Sequence, residues 1–122
     1  MIMGELKAGN SVTYENAGAA ISKGAVVELK HTLGVALEDI AATTGSGEVA
    51  VEGVFDLPKV DTAVIVNGEK LVWDTSVGKF DDSSATPATG DITGAAIAVE
   101  ALGATTSANI RVKLTPGNAT LT

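Results

Sequence analysis

Very few residues in this 122-residue chain have types and spacing suited to chemistry. His31 is the only imidazole and there is no cysteine, so a structural zinc site has almost no ligands to draw on. Flanked by Lys30 and Thr32 at an expected strand-to-strand turn, His31 reads as a solvated turn residue rather than a general base poised by a carboxylate. Ser22–Lys23 lacks the two-residue gap of a Ser-x-x-Lys pair, and no G-x-S-x-G elbow occurs. "VGKF" (77–80) contains Gly-Lys, but Trp73 stands where a phosphate loop has its first glycine and Phe80 where it has Ser or Thr. "TGSGE" (44–48) is glycine-rich yet leads into a strand, without the helix N-terminus that would hold an anion. The carboxylates at Glu38–Asp39 and Asp81–Asp82 lack the alternating spacing that wraps calcium. Trp73, the sole tryptophan, fits either a binding anchor or the largest core plug. The expectation is a protein that is no enzyme and has no cofactor or metal.

Composition narrows the partners. Eight Lys and Arg against fifteen Asp and Glu give a formal charge of −7, which repels a phosphate backbone, so nucleic acid is excluded. The opening "MIMGELKAGN" has neither a basic region nor an apolar one of signal-peptide type, and no run reaches the length of a membrane span. A soluble chain with no membrane partner is expected. Hydrophobic residues make up 45% of the sequence but aromatics only 3%, so the core must be built from aliphatic side chains and be thin. Association with copies of itself or with another surface would offset the chain entropy of fourteen glycines.

The elements that must carry these residues are strands. In "NIRVKLT" (109–115), Ile110, Val112 and Leu114 alternate with polar residues, as in a half-buried antiparallel strand. "EVAVEGVFDL" (48–57) alternates likewise, with Gly53 marking a bulge or a close backbone approach. Further strands are expected at 12–14, 25–30, 33–37, 63–66, 70–73, 79–81 and 95–99. Asn67–Gly68 supplies turn chemistry, and 82–93 reads as an exposed loop. Val35, Leu37, Val49, Val51, Ile97, Val99, Ile110, Val112 and Leu114 are expected inside. Residues 1–10 read as an N-terminal arm, 11–115 as a single β domain and 116–122 as a flexible tail.

The chain also repeats itself. "ISKGAVVEL" (21–29) parallels "IVNGEKLVW" (65–73). A strand opening at Gly34 or Gly94 follows, then an acidic, alanine-rich turn ending in Thr-Thr, then a period-two strand. Two similar halves forming a small antiparallel β-barrel or sandwich are expected, the second half enlarged by a hairpin and loop from Asp74 to Thr93.

Taken in order, "GAAISKGAVVEL", "LGVALEDIAA", "GEVAVEGVFDLPK", "GEKLVWD", "GKF", "TGAAIAVEALGATT" and "IRVKL" resemble the small capsid decoration, or cement, proteins of tailed bacteriophages and prophages. Where that layout has Gly-Asp before its middle strand, this chain has Gly68–Glu69. The resemblance implies a structural protein, made in the host cytoplasm, that sits on the capsid exterior of the virion. It implies binding to the major capsid protein, commonly as a homotrimer, and reinforcement of the head against internal DNA pressure. Ile2, Met3 and Leu6 in the arm, together with Trp73, are the candidate contact residues. A carbohydrate- or peptide-binding β-module, using the Trp73 hairpin and the 82–93 loop, is the alternative.

Overall fold

The computed structural model describes residues 9–104 and 109–122. It is all-β, with ten strands: β1 (Ser11–Glu15), β2 (Val26–Glu28), β3 (Leu33–Ala36), β4 (Ser46–Ala50), β5 (Val54–Pro58), β6 (Lys70–Asp74), β7 (Lys79–Asp81), β8 (Ile92–Ala98), β9 (Asn109–Leu114) and β10 (Thr120–Leu121). They form two antiparallel sheets, one in the order β1-β4-β3-β2, the other β5-β9-β8-β6-β7 with β10 beside β8. The sheets do not close into a barrel, and a sandwich describes them better.

The two sheets are the two halves foreseen in the sequence. The order β1-β4-β3-β2 recurs as β5-β9-β8-β6, and individual hydrogen bonds recur with it. Ile21 and Ile40 exchange backbone bonds of 2.9 and 2.8 Å, as Ile65 and Leu102 do at 2.9 Å each. The Gly24 amide donates to the Ala36 carbonyl at 2.8 Å, and the Gly68 amide to that of Ala98 at 2.7 Å. Both glycines have φ near +89°, a conformation that only glycine adopts without strain.

This correspondence corrects the register of the repeat. Val26 faces Val35 in the first sheet and Lys70 faces Ile97 in the second, so the counterpart of Gly34 is Ala96, not Gly94. Gly94 lies at a bulge where the β6–β8 pairing shifts. Its φ is +84°, and a Cβ there would come within 2.6 Å of the Asn118 carbonyl oxygen.

"EVAVEGVFDL" is not one strand. At Glu52–Gly53 the chain leaves the first sheet and enters the second, Gly53 supplying φ +127°. The alternation read through it joined two strands of different sheets. Likewise, 63–66 alternates as expected, with Ala63 and Ile65 buried, but pairs only through the Ile65–Leu102 bridge. The segment read as a loose tail contributes β10, and the Thr122 amide donates to the Asp91 carbonyl at 2.9 Å. The Gly90 amide donates in turn to the Thr122 carbonyl at 2.8 Å, and no apolar alternation signals this pairing in the sequence.

Leu33 and Val35 of β3 share one buried cluster with Leu57, Ile65, Leu71, Trp73, Phe80, Ile110 and Val112 of the second unit. The opposite face of the first sheet has its own smaller cluster of Val27, Ala36, Ile40 and Val49. Of the residues expected inside, Leu37 is 43% exposed, and Val51, Ile97 and Val99 are half-buried; Leu37, Val51 and Val99 lie just past the ends of β3, β4 and β8, whereas Ile97 lies within β8 on the face opposite buried Ala96 and Ala98.

Candidate interaction surface

Trp73 is a core residue. It is 4% exposed, meets Phe80 edge-to-face with ring centroids 4.9 Å apart, and donates from Nε1 to Glu28 Oε2 at 3.1 Å. Glu28 Oε2 also accepts from Thr75 Oγ1 at 2.6 Å. The indole thus joins β2 of the first unit to the β6–β7 hairpin of the second, and burial removes it as a surface anchor. Its strand, β6, is apolar on both sides, with Leu71 and Val72 also buried, and such a strand shows no alternation to say which way a tryptophan points. Ile2, Met3 and Leu6 lie outside the described residues, as do Thr105 and Thr106 of the second Thr-Thr pair.

Among the described residues the sequence reading missed three buried polar side chains, Asn16, Lys59 and Asp91, of which the first two occupy equivalent positions after the outer strands β1 and β5. Asn16 Nδ2 donates to the carbonyls of Ala19 and Ala41 at 2.8 and 3.0 Å, and its Oδ1 accepts from the Gly18 amide at 3.0 Å. Lys59, 0% exposed, donates from Nζ to the carbonyls of Val60, Asp61 and Ala63 at 2.8, 3.3 and 2.8 Å. A buried polar group must be satisfied, and here each of these two organises the loop that follows its strand. The available signal was a polar residue closing an apolar-polar alternation, in "TYEN" and "DLPK".

Lys59 fixes the loop that leads to Val64 and Val66, which are 58% and 59% exposed. Their counterparts in the first unit are Ala20 and Ser22, so this apolar display belongs to the second unit alone. Beside it, Glu69 accepts from the Val66 amide through Oε1 at 2.9 Å and from the Ser83 amide through Oε2 at 2.6 Å. Burial alone would raise the Glu69 carboxyl, but the hydrogen bonds from Ser83 and Val66 outweigh it and hold it below the ordinary carboxylate value. The segment read as an exposed loop over 82–93 gives Ile92 and Thr93 to β8, where they pair with Trp73 and Val72, and the part before them is likewise organised by a carboxylate. Buried Asp91 accepts from the amides of Thr75 and Ala88 at 3.1 and 2.9 Å.

An open cleft of about 600 Å³ lies where the units join, lined by Asn10, Glu52, Gly53, Lys113, Pro116 and Asn118 among others. Thr115, the hydroxyl-bearing side chain of its lining, donates to the Gly94 carbonyl at 2.8 Å. Among the described residues no three His, Cys, Asp or Glu side chains gather as a metal site, and no helix is long and apolar enough to cross a membrane.

The sequence model of the phage cement protein family matches residues 6–114, which takes in both units, and the chain belongs to that family. It is thereby a structural protein associated with the phage capsid. No curated protein matches the chain.

Proposed function

We propose that this protein binds the outer surface of a phage head through the major capsid protein and stabilises the shell, acting as a homo-oligomer, a trimer by preference. The observation that carries this reading is the family match across both units from residue 6 to residue 114. The geometry is compatible with it. The second unit exposes Val54, Val64, Val66 and Val77, and a net charge of −7 suits the side of a shell away from its DNA. The carbohydrate- or peptide-binding alternative loses its main platform with Trp73 and Phe80 both buried.

The N-terminal segment is part of the proposal. Ile2, Met3 and Leu6 are apolar residues ahead of β1, suited to insertion into a neighbouring surface. Deletion of residues 1–8 is expected to weaken attachment to shells more than it lowers the melting temperature.

The test is to sediment empty, expanded heads of the protein's own source with increasing amounts of the protein. Saturable binding in fixed proportion to capsid subunits is expected. Absence of binding, with selective retention on a glycan or peptide array, would replace this reading with the recognition module. Light scattering of the free protein tests the trimer separately.

A further inference from the structure

The second unit shows what the first unit lacks. On the outer edge of β6 lies β7, with Val72 facing Asp81, Trp73 facing Phe80 and Asp74 facing Lys79. Phe80 is 0% exposed, and its strand also reaches the end of β5 through a parallel bridge to Lys59, with the Val60 amide donating to the Phe80 carbonyl at 2.9 Å. A three-residue strand with one large apolar side chain therefore fills the seam between β6 and the buried polar residue after β5.

The first unit has the same seam without the strand. Its walls are β2, the counterpart of β6, and Asn16, the counterpart of Lys59. Among the described residues no strand or bridge occupies the outer edge of β2. On the β3 side, the Leu29 amide donates to the Thr32 carbonyl and the Ala36 amide to the Ala25 carbonyl, both at 2.9 Å. The alternation of an antiparallel ladder then turns the amides and carbonyls of Val26 and Glu28 away from β3. The side chains beside the seam agree. Tyr14 and Leu29 are half-buried, whereas their counterparts Leu57 and Trp73 are fully buried.

We propose that the outer edge of β2 is a strand-acceptor site for a short extended segment of the capsid subunit, bearing one large apolar side chain that fills the seam between Leu29 and Tyr14. This rests on the capsid-binding reading and names the contact it uses. Unpaired strand edges are templates for strand addition, and Lys79–Asp81 is the internal example of what fits. The capsid subunit is named as the donor because the family associates with the phage capsid, and because Lys79–Asp81, the strand of this pattern among the described residues, is already paired in the second unit with Phe80 buried.

Amide hydrogen exchange of the full-length protein, free and bound to empty expanded heads, tests the site. Exchange at Val26 and Glu28 is expected to slow by about tenfold or more on heads, and a folded Val26→Pro protein, which lacks one outward amide, is expected to lose head affinity. Should that variant not fold, Leu29→Lys, which puts a charge beside the seam, is expected to lower affinity in the same way. Binding to heads with protection confined to other segments, or unchanged affinity in either folded variant, would overturn the acceptor site while leaving the capsid reading intact. Protection of Val26 and Glu28 on concentrating the protein without heads would place a second copy there and overturn the capsid assignment. Failure to bind heads at all would overturn both.

Discussion

The two units share a strand order and a set of hydrogen bonds, yet they are filled differently. In the first, Asn16 ties two carbonyls with a neutral amide, the core is a small cluster around Val27, Ala36, Ile40 and Val49, and no strand among the described residues pairs with the outer edge of β2. In the second, Lys59 reaches three carbonyls, Trp73 and Phe80 supply aromatic bulk, and β7 and β10 extend the sheet. The first unit also lends Leu33 and Val35 to the second unit's cluster. The two units share the path of the backbone and differ in side-chain volume and in the one hairpin added to the second.

The largest effect should come from removing the bulk that distinguishes the second unit. Phe80→Ala leaves a cavity against Trp73 and is expected to cost about 3–5 kcal/mol, whereas Leu29→Ala, at the half-buried counterpart of Trp73, is expected to cost less than half as much. Urea unfolding of the two variants checks the contrast, and equal losses would mean that the units are filled alike.

The buried polar pair comes next. Lys59→Met removes the donor to three carbonyls, of which those of Val60 and Ala63 are held at 2.8 Å. Each buried acceptor left unsatisfied costs about 1–3 kcal/mol. Asn16→Leu should destabilise by a comparable amount, because it strands the carbonyls of Ala19 and Ala41 and the Gly18 amide. Thermal unfolding measures both, and a neutral Lys59→Met would show that its loop is held by other contacts.

Gly34 and Ala96 sharpen the register. A Cβ at Gly34 would overlap Val49 Cγ1 and fall 2.9 Å from the Ala50 carbonyl oxygen, so Gly34→Ala should cost about 1–3 kcal/mol by overpacking. The counterpart in the second unit already carries that methyl group. Ala96→Gly is expected to lose about 1 kcal/mol, from backbone entropy together with the missing methyl group.

The smallest effect is electrostatic and confined to the second unit. Because the Glu69 carboxyl is held below its ordinary value, its contribution is fully present above the ordinary carboxylate range and is lost as pH falls through the lowered folded value. The wild-type protein should lose more stability on acidification than Glu69→Gln does, and the amides of Val66 and Ser83, measured against their intrinsic exchange rates at each pH, should lose protection in acid. Parallel pH profiles for the two proteins would remove Glu69 as the tie between these segments.

Strand positions with clean alternation, such as Ile110, Val112 and Leu114, were legible because period two assigns a face directly. The repeat was legible too, since "ISKG" and "IVNG" need the same positive-φ glycine. Its register from Gly34 onward was not, because Gly94 imitates Gly34 in sequence while serving a bulge. The turn at Glu52–Gly53 was hidden because alternation continues across it. Lys59 was hidden because a charged residue at a strand end is normally solvated, and only the three carbonyls brought around it by the fold reverse that expectation. Nothing local in "GNATLT" marked β10, whose pairing depends on where β8 lies.

The most direct test of the reinforcing role is the temperature at which DNA-filled heads of the protein's own source, stripped of this protein, release their DNA, measured with and without saturating protein added back. A rise of several degrees at saturation, lost when the protein is removed, is expected of a cement. Saturated binding with an unchanged release temperature would contradict it, leaving a protein that coats the head without strengthening it.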